Sequence, residues 1–174
     1  MTRRLAYDVF EDDLGWALAV AADGALALLH HARSPEDAEE EVGGLYPAAR
    51  HDPSAPPLPE LRRQLGEYFA GARRDFDVPL APAGTDFQRR VWSALCDIPY
   101  GETRSYAELA RAVGRPRGFR AVGQANRRNP LGVVVPCHRV VAADGGLGGY
   151  AGGLDRKRTL LAIERGGARL GPSG

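Results

Sequence analysis

Short apolar stretches separated by turn-forming residues occur in the first third of the chain, a pattern typical of strands. Strands are predicted at residues 5–10, 15–20 and 25–29, and the sequence Ala22-Asp23-Gly24 predicts a turn before the third strand. Strands joined by such short connections usually pair with each other. We therefore expect a small antiparallel sheet.

Two helices and one more strand are predicted after this sheet. Ser34 followed by Pro35 and early acidic residues is typical of a helix start, and Gly43 and Gly44 are predicted to stop this helix near Val42. The remaining predicted features are a loop at 47–57, an amphipathic helix on Leu58, Leu61, Leu65 and Phe69 that ends near Gly71, and a strand on Phe76, Val78 and Leu80.

The sequence Ala81-Pro82-Ala83-Gly84 is the best candidate for a domain boundary, because loop-forming residues are followed at once by a strong helix start. We expect domains at 1–80 and 81–174. Two capping boxes are predicted in the second domain, at Thr85/Gln88 and Ser105/Glu108. The elements predicted there are a helix after Thr85, a turn at 99–101, a helix from Ser105 to Gly114, a helix at 119–127, a buried strand at 132–135, a glycine-dense loop at 144–153 and a helix at 157–164.

Length and composition are those of an ordinary globular protein. The chain has 174 residues, of which 44% are hydrophobic and 26% are charged. No apolar run approaches the roughly 18 residues that cross a bilayer, so no transmembrane helix and no membrane partner are expected. The N-terminus lacks the apolar core of a signal peptide. We therefore expect an intracellular, cytoplasmic protein.

The chain contains two cysteines, Cys96 and Cys137, which are too few for a disulfide framework and lack metal-ligand spacing. At least one free, reduced thiol is expected, and no metal site. Cys96 lies on the first predicted helix of the second domain and fits no catalytic motif, so we expect it in the core.

Charge is unevenly distributed along the chain. Residues 1–60 hold twelve acidic residues against four arginines, whereas residues 104–128 hold seven arginines against Glu108 alone. Two short helices joined by a turn with Gly and Pro fall in this basic segment, which is the outline of a helix-turn-helix. The segment is therefore a candidate contact for DNA phosphates. An ordinary solvated helical hairpin remains the alternative.

Cys137 is the candidate nucleophile. It follows an apolar stretch and lies between Pro136 and His138, and a nearby imidazole can take up a thiol proton or stabilise a thiolate. A buried structural cysteine beside a surface histidine is the alternative, since neighbouring side chains on an extended segment point to opposite faces.

The sequence around Cys137 resembles the signature of a known family. The residues Pro136-Cys137-His138-Arg139-Val140, preceded by Asn129-Pro130 and followed by residues 149–154, closely resemble the motif of the O6-alkylguanine-DNA alkyltransferases, and the likeness extends over about 83–166. The N-terminal third is similar only in size and element order. The resemblance implies an α+β protein, with a small ribonuclease H-like α/β domain followed by a mainly helical, winged-helix-like domain containing the helix-turn-helix.

The resemblance also implies a reaction. By this resemblance, Cys137 is expected to take an alkyl group from O6-alkylguanine in DNA, once and irreversibly, as in the methylated-DNA–protein-cysteine methyltransferases. By position in the motif, His138 acts as base through a water, Glu164 orients His138, and Tyr106 assists the departing guanine. Asn129 corresponds to a hinge between the recognition helix and the active-site segment. Without the resemblance, the alternatives are a solvated helix residue for Glu164, a packed aromatic for Tyr106 and part of a turn for Asn129.

Further residues are implied to contact the DNA and the base. Arg120 corresponds to an arginine that supports base flipping from the minor groove, and small Ala121 and Gly123 suit close approach of that helix to DNA, although packing explains them equally. Ser105 is also expected to contact the DNA. The pocket of the extruded base is implied to be lined by Val140, Tyr150, Ala151 and Gly152, with Val135 nearby.

Two departures from the family pattern and one match to it change the expectations. Several members have serine at the position of Ala151, so one hydroxyl contact to the guanine oxygen is absent. Some members bind zinc through N-terminal cysteines, which this chain lacks, so neither zinc nor another cofactor is expected. Lys157, the only lysine, falls where many members support the pocket loop, although by itself it would be a surface charge.

The expected partner is double-stranded DNA containing O6-alkylguanine, with O4-alkylthymine as a further substrate to test, and the expected state is a monomer that associates with the nucleoid when bound. Two other functions compete. Alkyltransferase-like proteins recognise damage without transfer but carry tryptophan in place of the nucleophile, which Cys137 argues against. A Cys-His hydrolase would turn over esters or peptides, yet no distinct oxyanion motif is present.

Overall fold

The computed structural model describes residues 2–166. The chain divides into two compact units between Ala83 and Gly84. Within the described residues, no helix combines the length and apolar character that crossing a bilayer requires.

The first unit is a four-stranded mixed sheet with two helices. The elements are β1 (Leu5–Asp12), β2 (Gly15–Ala22), β3 (Ala25–Ala32), α1 (Pro35–Leu45), β4 (Arg50–His51) and α2 (Leu58–Phe69). The strands run in the order β3-β2-β1-β4 across the sheet.

The three long strands form an antiparallel meander, as predicted. Leu5 pairs with Ala22 at one end of the β1-β2 ladder, and Ala22 pairs with Ala25 in the next ladder. Asp23 and Gly24 both have positive φ, which is the backbone of a tight two-residue hairpin turn. The predicted turn is therefore confirmed, and the strands extend two or three residues beyond their predicted ends.

Three predictions for this unit are wrong. The region 47–57 contains the edge strand β4, which pairs parallel with β1 and makes the sheet mixed. Helix α1 continues through Gly43 and Gly44 to Leu45, because a glycine costs only about 1 kcal/mol in a helix and does not break its hydrogen bonds. Residues 76–80 form no strand, and only Leu80 bridges to Leu26.

The core between α1 and the sheet explains why this helix forms where it does. Ser34 caps the helix by accepting a hydrogen bond from the Asp37 backbone N–H, as predicted. Ala38 and Val42 then pack on Leu18, Val20 and Leu28, and all five are buried. Burial of this apolar face therefore stabilises the helix despite its two exposed glycines.

The second unit is mainly helical. The elements are α3 (Asp86–Cys96), β5 (Arg104–Ser105), α4 (Tyr106–Ala112), α5 (Phe119–Arg127), a 3₁₀ turn (Cys137–Arg139), β6 (Val140–Val141) and α6 (Leu154–Glu164). Strands β5 and β6 form a short parallel sheet beside α4, and α4 packs on α5. The predicted α+β class is confirmed by the two units together.

Local sequence explains most boundaries in this unit. Both predicted capping boxes, at Thr85/Gln88 and Ser105/Glu108, have their reciprocal hydrogen bonds. Helix α5 has the predicted bounds, and α6 begins three residues earlier than predicted. Cys96 is exposed at the end of α3, so its expected place in the core is wrong.

The predicted strand at 132–135 is also wrong. These residues form turns, and Val133 has a φ of +69°. The backbone N–H groups of Val134 and Val135 donate to Gly132 and Leu131 within the same segment, at 2.8 and 2.9 Å. The segment is apolar because it is buried, not because it lies in a sheet.

Candidate active site

Cys137 begins a buried 3₁₀ turn. Its backbone N–H donates to the Val135 carbonyl at 2.8 Å, and the Val140 N–H donates back to the Cys137 carbonyl. The turn buries both Cys137 and His138, with 6% and 0% of their surfaces exposed. The segment is not extended, so the argument that adjacent side chains point to opposite faces does not apply here. The alternative of a surface histidine is wrong.

His138 is held by the last helix. Its Nε2 lies 2.7 Å from Glu164 Oε2 of α6, and both side chains are buried. Because an ionised carboxylate only accepts hydrogen bonds, Nε2 carries the proton that is donated to Glu164. In the neutral ring Nδ1 then bears the free lone pair. Nδ1 is buried and has no hydrogen-bond partner among the described residues.

Arg139 shares the Glu164 carboxylate with His138. Its Nε donates to Oε1 at 2.7 Å and its Nη2 to Oε2 at 3.0 Å, while Nη1 donates to the Ile98 carbonyl at 2.7 Å. The pKa of His138 lies below its ordinary value because burial penalises the imidazolium, an effect that the hydrogen bond to Glu164 opposes. The site therefore holds a neutral, oriented imidazole.

Asn129 braces the segment that leads to the cysteine. Its side-chain amide donates to the Val135 carbonyl at 2.8 Å, and its side-chain oxygen accepts from the Leu131 N–H at 2.9 Å. These bonds replace the sheet ladder that the apolar residues of this segment lack. The predicted hinge residue thus connects the end of α5 to the backbone just before Cys137.

The thiol itself is in a low-dielectric site. Burial raises the pKa of Cys137 above its ordinary value, while a hydrogen bond from Asn129 and the positive charge of Lys157 act in the opposite direction. The thiol is therefore largely protonated at neutral pH. A nucleophilic role requires a base that removes this proton.

Lys157 is buried, and is not a surface charge. Its Nζ donates to the carbonyls of Val140 at 2.6 Å, Gly149 at 3.1 Å and Leu147. Burial lowers the pKa of Lys157 to about 8, and charge on Cys137 opposes this shift. The side chain ties the loop after β6 to α6.

Tyr106 lies against that loop. Its hydroxyl is 3.5 Å from the Gly149 carbonyl, and a Cβ at Gly148 would come within 3.0 Å of its ring. Burial raises the pKa of Tyr106 and of Tyr150, and charge on Cys137 raises both further. The sequence-predicted residues Cys137, Tyr106 and Tyr150 are therefore brought into one electrostatic neighbourhood.

The other predicted pocket residues differ in exposure. Val140 is fully buried, Ala151 is exposed, and Gly152 lies so close to Tyr150 that an added Cβ would be 2.8 Å from its ring. A larger residue at position 152 would therefore displace the Tyr150 ring.

The predicted DNA-contact residues lie on α4 and α5. Arg120 and Ala121 are exposed on α5, and Gly123 packs so that a Cβ would be 3.8 Å from the Tyr106 ring. Ser105 caps α4. The helix pair thus presents Arg120 at the surface and brings Gly123 next to Tyr106.

The roles of two residues of this site were not predicted from the sequence. Arg139 stands in the quoted motif, yet only the fold shows that it pairs with Glu164. Asn126 is buried on α5, and its amide lies 3.5 Å from the Cys137 carbonyl. Nothing in the local sequence distinguishes Asn126 from an exposed helix residue.

Comparison with known proteins assigns this chain to a protein family. Over 110 residues the chain is 57% identical to the methylated-DNA–protein-cysteine methyltransferase of Methanosarcina barkeri, an alignment that covers 63% of this chain and 70% of the relative. The chain belongs to the O6-methylguanine DNA methyltransferase family. The family's ribonuclease-like domain matches residues 7–82 and its DNA-binding domain matches residues 86–166.

Two further similar proteins support the assignment to the O6-methylguanine DNA methyltransferase family. The methylated-DNA–protein-cysteine methyltransferase of Mycolicibacterium paratuberculosis is 63% identical over 102 residues, covering 59% of this chain and 62% of the relative. The crystal structure of Mycobacterium tuberculosis OGT in complex with DNA is 41% identical, with a TM-score of 0.84, and covers 95% of this chain and 96% of that one. The resemblance found in the sequence is confirmed, and with it the ribonuclease-like nature of the first domain.

Proposed function

We propose that this protein repairs DNA by transferring an alkyl group from the O6 atom of guanine to Cys137, once per molecule. The observation that carries the proposal is the buried pair of Cys137 and His138. Glu164 holds the imidazole through Nε2, and Nδ1 has no hydrogen-bond partner among residues 2–166. A buried thiol with a raised pKa needs such a base. Family membership supplies the substrate class.

The step balances as a displacement. The Cys137 thiol loses its proton through a bound water to His138 Nδ1, and the sulfur attacks the alkyl carbon. The new sulfur–carbon bond forms as the carbon–O6 bond breaks, and the electron pair leaves with the guanine. The cysteine becomes a stable thioether. Glu164 orients His138 and stabilises the imidazolium that forms, which is the positioning logic of a catalytic triad.

The departing guanine needs a proton or a hydrogen bond. We assign this role to Tyr106, whose raised pKa keeps its hydroxyl protonated and able to donate. Val140, Tyr150, Ala151 and Gly152 form the walls of the base pocket in this proposal, and Lys157 holds their loop in place. Because Ala151 has no hydroxyl, the chain relies more heavily on Tyr106 for the guanine.

The DNA partner is double-stranded DNA with an O6-alkylguanine that is flipped out of the helix. Arg120 on α5 supports the flipped state, Ala121 and Gly123 allow close approach of α5, and Ser105 lies beside them at the start of α4. The similar Mycobacterium tuberculosis OGT has been crystallised in complex with DNA, which supports this partner. In this proposal the protein acts as a monomer, and O4-alkylthymine is a second substrate to test.

The experiment is intact-mass measurement after incubation with a duplex that carries one O6-methylguanine. The wild type should gain one methyl group per molecule and then stop. Cys137→Ala should gain no mass while keeping most of its DNA affinity. Cys96→Ser changes the other cysteine, which is exposed, and should react like the wild type. Binding without any mass gain in the wild type would instead indicate a damage-recognition protein that performs no transfer.

A further inference from the structure

Phe119 is a large apolar side chain left at the surface of the DNA-binding unit. It is the first residue of α5 and is 52% exposed. Among the described residues, no aromatic ring and no guanidinium group stacks on its ring. A single exposed apolar side chain is common on protein surfaces, so the charges of the same segment must decide whether Phe119 has a partner.

The surroundings of Phe119 select the kind of partner. Residues 109–143 contain no acidic residue, and this stretch, which includes Phe119, carries six exposed arginines. They are Arg111, Arg115, Arg117, Arg120, Arg127 and Arg128. A partner for this surface must carry many negative charges and also offer flat apolar faces. Nucleic acid has both properties, since phosphates neutralise arginines and every base has a π-face.

The helix geometry puts Phe119 beside the chemistry. Residues four apart on a helix are neighbours on one face, so Phe119 lies one turn from Gly123. Gly123 in turn adjoins the Tyr106 ring, which an added Cβ would approach to 3.8 Å. The exposed residues Phe119 and Arg120 therefore lie on the side of α5 that also carries Gly123, which is next to Tyr106 of the proposed site.

We propose that Phe119 is an apolar wedge that stacks on a base of the duplex next to the nucleotide that is flipped out. This inference rests on the proposed function. Side chains of this kind enter the minor groove of other DNA complexes and partly unstack a base step. Here the wedge stabilises the open step while Arg120 supports the gap, so duplex substrate is engaged by an aromatic contact in addition to charge.

The test compares single-turnover transfer from a duplex carrying one O6-methylguanine with transfer from free O6-methylguanine base. Phe119→Ala should slow the duplex reaction about tenfold and leave the free-base reaction unchanged, because only the duplex offers a base to stack on. Phe119→Trp keeps a ring and should retain the rate, whereas Phe119→Leu should lose most of it. Leu154→Ala, which truncates a comparably exposed residue at the start of α6, is the matched control and should change neither rate.

Salt dependence separates stacking from charge. Phe119→Ala should weaken binding to the duplex at every salt concentration without changing the slope of log Kd against log salt. Arg117→Ala should lower that slope by about 0.9, the value for one lost phosphate contact.

Failure of this inference and failure of the proposed function give different results. A wild type that gains no methyl group refutes the function itself. If the wild type reacts but Phe119→Ala stays within about twofold of it on duplex, or loses the free-base rate equally, the wedge is refuted. If Phe119→Ala instead changes the sedimentation of the DNA-free protein and leaves the DNA affinity intact, this surface binds protein, and the proposal is also refuted.

Discussion

The shared carboxylate of Glu164 offers a direct test of how the site is held together. We consider Glu164→Gln, Arg139→Met and the double variant. The Glu164 side chain is 1% exposed and that of Arg139 is 8% exposed, and two hydrogen bonds of 2.7 and 3.0 Å join them. Water therefore cannot take over from either partner when the other is removed.

The expected magnitudes follow from this burial. Removing one partner of a buried ion pair leaves an uncompensated charge and typically costs about 3–5 kcal/mol. That is a large share of the roughly 5–15 kcal/mol by which a domain is stable. Replacing both partners removes both charges, so the double variant should be less destabilised than the sum of the singles. We expect a coupling of about 2 kcal/mol or more.

The assay is urea unfolding followed by tryptophan fluorescence. Trp92 is buried in the second unit, where its indole N–H donates to the Ala125 carbonyl at 2.8 Å. A Trp16→Phe background removes the tryptophan of the first unit and makes the signal specific. Single variants that each cost less than about 1 kcal/mol, or that add within about 0.5 kcal/mol, would refute the reasoning.

Four further predictions concern the site. Gly148→Ala should slow transfer, because φ is +69° there and the new Cβ would lie 3.0 Å from the Tyr106 ring; Gly145→Ala has positive φ but open space and is the control. Tyr106→Phe should slow transfer at unchanged DNA affinity. Arg120→Ala should reduce transfer in duplex more than transfer from free base. Burial lowers the pKa of His138 below 6.5, so below that pH the unfolded chain binds more protons than the folded protein. The contribution of His138 to the free energy of unfolding is therefore complete above pH 6.5 and falls as the pH is lowered. His138→Asn should flatten this pH dependence in unfolding experiments.

Each of these predictions has an outcome that contradicts it. Equal rates for the two glycine variants would show that the loop does not press on Tyr106. An unaltered rate for Tyr106→Phe would remove that hydroxyl from the chemistry. Equal losses of Arg120→Ala on both substrates would exclude a role in flipping. Identical stability profiles of wild type and His138→Asn between about pH 5 and 7 would show that His138 titrates normally.

The sequence alone determined the features that depend on neighbouring residues. Both capping boxes, the bounds of α5 and the hairpin turn at Asp23-Gly24 follow from hydrogen bonds and backbone preferences that span a few positions. The motif around Cys137 likewise identified the family, because its residues are contiguous in the chain.

Only the tertiary structure decided which apolar runs become strands and which charges are buried. Residues 132–135 are apolar in either case, and the bonds of Asn129 to Leu131 and Val135 make them a turn. Lys157 would be a surface charge on an isolated helix, yet carbonyls from the preceding loop surround it. The contact of His138 with Glu164 joins residues 26 positions apart. Such pairings depend on burial and on long-range packing, which no local pattern encodes.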